Sequence, residues 1–298
     1  MNCLFIYNPT SGKKKGQKNA IYIESELKKH FDNVVVKPTG KAGDASDFSA
    51  DACGKYDVLV VAGGDGTLNE VINAIATKEN RPQIGYIPTG TTNDLAHSLK
   101  IPKNVKKAVK IITNGKCISH DIFKVNEKYG IYVCAFGMCT GASYLTKQNK
   151  KNKFGKVAYF VEGIKELGGA KRFEISINSD NINITDNIVL GLIVNSRYVG
   201  GFKINKMANC SDGFVNLILF KERKKRGVSI GVLFKIAKAF LFGINSLNKS
   251  KACHVLKLNK FQVTIPDDEV VNIDGEKGIT GGFNFEVLKQ HIQIFVKG

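Results

Sequence analysis

No stretch of this sequence is both long and apolar enough to cross a bilayer. The best candidate, Val228 to Ile244, is interrupted by Lys235 and Lys238, and a central lysine opposes insertion by roughly 2.5–3.5 kcal/mol. Acid is scarce as well: Asp and Glu number 26 against 44 Lys and Arg, a formal charge of +18. That balance favours anionic partners such as nucleic acid, anionic lipid or phosphorylated small molecules, although a generally lysine-rich proteome would produce the same excess. Cysteine is present without pattern. Cys3, Cys53, Cys117, Cys134, Cys139, Cys210 and Cys253 contain no C-x-x-C pair, which argues against a disulfide frame or a zinc site and for reduced thiols in a cytosolic protein. A G-x-x-x-x-G-K-[ST] loop is missing. None of the five histidines has triad or metal-ligand spacing. Met1 to Tyr7 runs from a short apolar strand straight into Asn8-Pro9, without a basic leader or cleavage site, so no signal peptide is expected.

What is present reads as a water-soluble globular chain, 43% hydrophobic and 23% charged, whose 298 residues leave room for two domains. In the first third, short apolar runs alternate with helix-period segments. Cys3 to Tyr7, Val34 to Val36, Asp57 to Ala62 and Ile84 to Ile87 read as strands. Gly16 to His30, Asp44 to Cys53, Leu68 to Thr77 and Thr92 to Leu99 read as helices. Apolar strands alternating with helices predict a parallel sheet covered on both faces, with ligands beyond the carboxyl ends of the strands.

After about Asp121 the pattern changes to closely spaced strand-like runs: Ile131 to Gly137, Phe173 to Asn178, Ile182 to Ile184, Ile188 to Val194, Gly213 to Phe220, Val255 to Leu258 and Phe261 to Ile265. Helices are expected near Gly155 to Leu167 and Val228 to Ile244, the second nearly encircled by apolar residues and so assigned to the core. The chain therefore divides into an α/β domain over residues 1–125 and a β-rich domain over 126–284. The last strand, His291 to Val296 within 285–298, could return to either.

Three glycine-rich turns follow strands of the first domain: Asn8-Pro9-Thr10-Ser11-Gly12, Gly63-Gly64-Asp65-Gly66-Thr67, and Pro88-Thr89-Gly90-Thr91-Thr92-Asn93-Asp94. In a parallel sheet all three converge on one edge. Glycine lets backbone approach a phosphate, the helix starts supply unpaired N–H groups, and Asp65 and Asp94 can hold Mg²⁺ directly or through water. One such turn is ordinarily just a turn; three at successive strand ends predict a nucleotide site.

GGDGTLNEV from Gly63 to Val71, with NPTSG at Asn8, PTGTTND at Pro88 and the late Asp274-Gly275-Glu276, resembles the diacylglycerol kinase catalytic-domain family over nearly the whole chain. That family includes bacterial diacylglycerol and phosphatidylglycerol kinases and the sphingosine and ceramide kinases. The resemblance implies a Rossmann-like nucleotide-binding domain, a β-sandwich-like lipid-substrate domain and an active site in the cleft between them. It implies use of ATP and Mg²⁺ on a lipid hydroxyl. By the same resemblance Thr39, Gly63 to Asn69 (with Thr67 and Leu68) and Thr91 contact nucleotide. Asp65, Asp94 and Asp121 form a Mg²⁺–water network, and Glu276 acts as general base. A second, structural Mg²⁺ is implied at Asp212 with the carbonyls of Asn209 and Phe214. From the residues alone, Asp274-Gly275 is equally a hairpin turn, and Asp121 equally a strand-end carboxylate.

Clusters at Lys13 to Lys15, Lys147 to Lys156 and Lys221 to Arg226 are assigned to an anionic membrane surface, about 1 kcal/mol per charge near the leaflet. Tyr144, Tyr159 and Phe160 are candidates for an acyl pocket. The expectation is a cytoplasmic, peripherally membrane-associated enzyme that does not bind nucleic acid, in which an exposed strand edge would support a homodimer. The alternatives are an NAD kinase-like enzyme, which shares a GGDG loop, and a non-catalytic lipid- or nucleotide-binding module.

Overall fold

The computed structural model describes residues 1–11, 16–138, 171–224, 227–247 and 250–298. The first unit is built from β1 (Asn2–Tyr7), α1 (Gly16–Leu27), β2 (Asn33–Pro38), α2 (Asp44–Ala52), β3 (Val58–Gly63), α3 (Asp65–Ile75) and β4 (Gln83–Pro88), with all four strands parallel in the order β4-β3-β1-β2. Period-two alternation between two covered faces explains why Cys3 to Tyr7 of β1, and all of β3, are apolar. Cys3, Phe5, Val58 and Val60 pack to one side with Ile23 and Leu27 of α1. Leu4, Ile6, Leu59 and Val61 pack to the other with Ala45 and Ala52 of α2. In α3, Leu68, Val71, Ile72 and Ile75 recur at helical spacing and are all buried.

A short helix α4 (Asp94–Ser98) follows, and then α5 (Val105–Asn114), which was not among the expected elements. Its signals lie in the sequence: Asn104 caps it by accepting the Lys107 N–H at 3.1 Å, and Ala108, Val109, Ile111 and Ile112 form its buried face.

The remaining strands are β5 (Lys116–Val125), β6 (Lys128–Gly130), β7 (Val133–Gly137), β8 (Phe173–Ser179), β9 (Ile182–Val194) and β10 (Val215–Lys221). The helix α6 (Ile230–Phe242) then leads into β11 (Cys253–Leu258), β12 (Lys260–Thr264), β13 (Val270–Ile273), β14 (Glu276–Thr280) and β15 (Phe283–Val296). Their pairings are antiparallel, apart from the end of β15. Where two strands were expected around Thr185-Asp186-Asn187, β9 runs through without a break. Its polar centre is tolerated because Asp186 is paired with Lys221 at 2.6 Å and His254 at 3.0 Å.

The last strand joins the two regions. Its first half pairs with β12, and its end lies parallel to β4 at Ile294 and Ile84. Both halves run along β5, with a register break between Leu288 and Ile292 at left-handed Gln290. Among the described residues the strands thus form one continuous 15-stranded sheet, parallel at the N-terminal end and antiparallel beyond.

The helix α6 departs from the expected core helix. Only Val232, Ile236 and Ala239 of it are buried, while Ile230, Phe234, Leu241 and Phe242 face solvent. Among the described residues no helix is long and apolar enough to cross a membrane. Gly12, Lys13 to Lys15, Lys147 to Lys156, Lys225, Arg226, Tyr144, Tyr159, Phe160 and the helix expected near Gly155 to Leu167 lie outside the described residues.

Candidate active site

Parallel register brings the motif loops to one edge. Tyr7 is level with Pro38 and Ala62, and Gly63 with Pro88, so the chain leaves β1, β2, β3 and β4 on the same side. Hydrogen bonds then join the loops. Asn8 takes the Thr10 N–H and hydroxyl on its Oδ1, at 2.9 and 2.8 Å. Thr89 Oγ1 donates to Ser11 Oγ at 3.0 Å, and the Thr89 N–H to the Gly63 carbonyl at 2.9 Å. Thr39 is tied back to β1, its N–H donating to the Tyr7 carbonyl at 2.9 Å.

The Gly64 and Gly90 backbones touch so closely that a Cβ on Gly90 would stand 2.6 Å from Gly64 Cα. Asn93 sets this approach. In left-handed conformation and fully buried, it accepts the Gly90 N–H on Oδ1 at 3.1 Å and returns its amide to the Gly90 carbonyl at 2.7 Å. Tyr86 donates its hydroxyl to the same Oδ1 at 3.2 Å. Asn93 therefore shapes the Gly90 loop with every polar atom of its side chain. Leu68, also expected at the nucleotide, points into the core.

Asp65 opens α3, where the helix dipole favours negative charge. Its Oδ2 accepts the Asn93 N–H at 2.7 Å, while Oδ1 is buried with no hydrogen-bond partner. Burial and then the neighbouring Asp94 charge push this carboxyl up to about 7, against the Asn93 N–H, with Asp274 adding to the rise. A buried carboxylate oxygen with no donor, among other acids and beside glycine-lined helix starts, fits a cation ligand. Asp94 clasps the other region: its Oδ2 accepts the Gly200 N–H at 2.6 Å and its Oδ1 the Gly201 N–H at 2.7 Å.

The Asp274-Gly275 turn joins β13 to β14 with both residues at positive φ, the backbone of a tight hairpin. It delivers two side chains. Glu276 is exposed and comes up to the glycine loop, its Oε1 3.4 Å from where a Gly66 Cβ would stand. Asp274 turns inward. Its Oδ1 accepts the Tyr132 and Val133 N–H groups, each at 3.0 Å, and its Oδ2 the Ile131 N–H at 2.7 Å and Asn69 Nδ2 at 3.0 Å. Burial holds it at about 6 in spite of these donors. Asn69 is thereby committed to the turn that carries Glu276. The sequence reading missed this role for Asp274, because its partners lie well over a hundred positions away. The only local signal was a D-G turn after an apolar strand.

Asp121 stands apart from the Asp65 cluster's hydrogen bonds. Its Oδ2 accepts the Gly213 N–H at 2.7 Å and its Oδ1 the Gln290 N–H at 2.6 Å, so it anchors the β15 bulge to the Asp212-Gly213 turn. In that turn Asn209 Oδ1 accepts the Ser211 N–H at 3.2 Å, and Asp212 Oδ1 the Phe214 N–H at 3.0 Å. Lys257 Nζ sits 2.8 Å from Asp212 Oδ2. Lys257, more than half exposed, is thus the ion-pair partner of the carboxylate in the turn expected to hold the structural metal. Among the described residues no three His, Cys, Asp or Glu side chains are grouped to hold a metal.

The fold and its loop edge define a nucleotide-type α/β domain joined to an antiparallel unit. The diacylglycerol kinase catalytic domain model matches residues 2–125. A diacylglycerol kinase of Staphylococcus saprophyticus is 35% identical over 292 residues, spanning 97% of this chain and 93% of that protein. The chain belongs to the diacylglycerol kinase family, phosphotransferases with an alcohol acceptor. In fold it is similar to a diacylglycerol kinase from Bacillus anthracis, with TM-score 0.78 and 24% identity, covering 99% of this chain and 96% of that one. The likeness extends more distantly to an NAD kinase from Archaeoglobus fulgidus in complex with ATP. There the TM-score is 0.53 and identity 15%, over 99% of this chain and 93% of that one.

Proposed function

We propose that this chain is an ATP- and Mg²⁺-dependent lipid kinase, transferring the γ-phosphate to the hydroxyl of diacylglycerol or phosphatidylglycerol. The observation that carries this reading is the meeting of Glu276 with Gly66 beside the unpartnered oxygen of Asp65. A phosphate-binding helix start, a proton acceptor and a cation ligand thus share one place. The names of the relatives support a lipid acceptor, and the ATP complex of the distant fold neighbour supports an adenine nucleotide as donor.

The chemistry follows from the chain's own groups. N–H groups at the start of α3 and in the Gly90 loop hold the phosphates. Glu276 takes the hydroxyl proton as the lipid oxygen attacks the γ-phosphorus. The new O–P bond forms while the bond to the β-phosphate oxygen breaks, and ADP leaves. Mg²⁺, when bound, neutralises phosphate charge. Asp65 through Oδ1, with the Asp94 charge beside it, would hold it. Thr39, Thr67 and Thr91 supply further polar groups at the loop edge.

Transfer of labelled γ-phosphate to a panel of diacylglycerol, phosphatidylglycerol, a sphingoid base and NAD tests the reading. Labelled lipid is the expected product; labelled NADP would overturn it in favour of an NAD kinase. Glu276→Ala is expected to slow turnover by about 10²–10⁴ while ATP affinity stays within about twofold. Equal loss of both in steady-state kinetics and calorimetry would make Glu276 structural. Gly90→Ala is expected to force the two glycine loops apart and weaken ATP binding about tenfold, a cost of about 1.4 kcal/mol. Unchanged ATP affinity would show that this close approach does not shape the site.

A further inference from the structure

Among the described residues the outer face of α6 is apolar and uncovered. Ile230 is 85% exposed, Phe234 65%, Leu241 45% and Phe242 63%. At helical spacing Ile230, Phe234 and Leu241 fall on one side, opposite the buried Val232, Ile236 and Ala239. Met207, 80% exposed, stands on the loop alongside. Water-facing isoleucine, phenylalanine and leucine on one helix side, with Phe242 exposed at the helix end, are costly unless something covers them.

Charge indicates what does. No Asp or Glu occurs between Glu222 and Asp267, while Lys235 and Lys238 border the apolar side of α6 on the flank that Phe242 shares. The acid that precedes it is consumed within the fold. Glu222 is buried, its Oε1 accepting the Arg223 and Lys224 N–H groups and its Oε2 the Ser229 N–H at 2.6 Å. Apolar side chains flanked by lysine and free of acid match an anionic leaflet, with acyl chains for the aromatics and headgroup phosphate for the ammonium groups.

Loop 199–208 connects this face to Asp94 at the proposed active site. At one end Gly200 and Gly201 are bonded to Asp94. Further along, Phe202 packs edge-on against Phe240 of α6, ring centroids 5.6 Å apart, and the Ile204 carbonyl accepts the Ile244 N–H at 2.8 Å. Lys203, Lys206 and Met207 lie on the same loop.

We infer that the outer face of α6, with Met207, is a bilayer-docking surface that inserts Phe234 and Phe242 into an anionic leaflet and brings the cleft to the membrane. The inference builds on the lipid-kinase reading and specifies how the enzyme reaches a substrate embedded in the bilayer.

The test is co-sedimentation of the full chain with mixed phosphatidylglycerol/phosphatidylcholine vesicles and with phosphatidylcholine vesicles, without nucleotide. Phe234→Ser with Phe242→Ser changes exposed positions and leaves the core intact. It is expected to weaken binding about tenfold or more for each aromatic removed. Lys235→Glu with Lys238→Glu is expected to remove the preference for anionic vesicles. Turnover of a short-chain diacylglycerol in free solution is expected to stay within about twofold of wild type in the Phe variant, while turnover of vesicle-embedded substrate falls with binding.

Wild-type vesicle binding in the Phe variant overturns the inference. A wild-type dimer that the Phe variant converts to monomer, with vesicle binding unchanged, also overturns it and makes the face a contact between two copies of the chain. Phe-dependent vesicle binding without phosphorylation of any lipid upholds the docking surface and counts against the kinase reading alone.

Discussion

Replacing Asp65 with asparagine is expected to abolish phosphoryl transfer and, above about pH 7, to make the metal-free protein more stable. Both effects come from one geometry: an oxygen buried without a donor, close to the charges of Asp94 and Asp274. The folded carboxyl titrates at about 7 against an ordinary 3.8. Between those values the folded chain holds a proton that the unfolded chain has released. Stability from this group is therefore complete below the unfolded value and is lost as pH rises through about 7. Asparagine keeps an oxygen to accept the Asn93 N–H and carries no charge. It is expected to raise the melting temperature of the metal-free protein by about 5 °C at alkaline pH and to flatten its pH dependence. It also removes the proposed Mg²⁺ ligand, a loss of several kcal/mol in transition-state charge stabilisation, or on the order of a thousandfold in kcat. Thermal melts across pH, Mg²⁺ titrations and turnover check the three parts. A variant that melts lower at every pH while retaining activity would show that the oxygen is satisfied in solution and holds no metal.

Asp274→Ala is expected to be among the most destabilising single substitutions in the protein. It strips the acceptor from three buried backbone donors, Ile131, Tyr132 and Val133, and from the Asn69 amide. It also places alanine at a left-handed position, φ 51°. Each orphaned donor costs roughly 1–3 kcal/mol, partly recovered by relaxation, so a net loss of about 4 kcal/mol is expected, on the order of 10 °C in melting temperature. Asp274→Asn is expected to be milder. It can still accept the Tyr132 and Val133 N–H groups on one oxygen, but it sets an amide donor against Ile131 and Asn69. Both variants are expected to lose turnover by displacing Glu276. Calorimetry orders them, and an alanine variant with wild-type melting and turnover would refute the anchoring role.

The contrast between Asp274 and Glu276 shows how far sequence reasoning reaches. Glu276 is assigned from a contiguous motif, and the structure places it against Gly66. Asp274, in the same triplet, was read only as turn chemistry, since its partners come from 131–133 and from Asn69. Asn93 and Asn69 were assigned to nucleotide by position in a motif. The structure instead spends their amides on shaping the Gly90 loop and on holding the Glu276 turn. Asp121 was grouped with Asp65 and Asp94 by resemblance, while its hydrogen bonds tie it to Gly213 and Gln290 at the β15 bulge. The α5 helix went unread despite its Asn104 cap.

For α6 the error had a physical source. An almost wholly apolar helix implies burial on all sides, and composition alone cannot say that one side has no neighbour among the described residues.

By itself the sequence determined the elements whose cause is local or periodic. These are the alternation of β1 to β4 with their helices, the glycine turns at the strand ends, and the edge on which those turns meet, because parallel connection leaves no other place for them. Tertiary structure alone decided which polar side chains are tied into the architecture. A carboxylate or amide reads the same whether tied in or not until its donors and acceptors, drawn from distant parts of the chain, are in place around it.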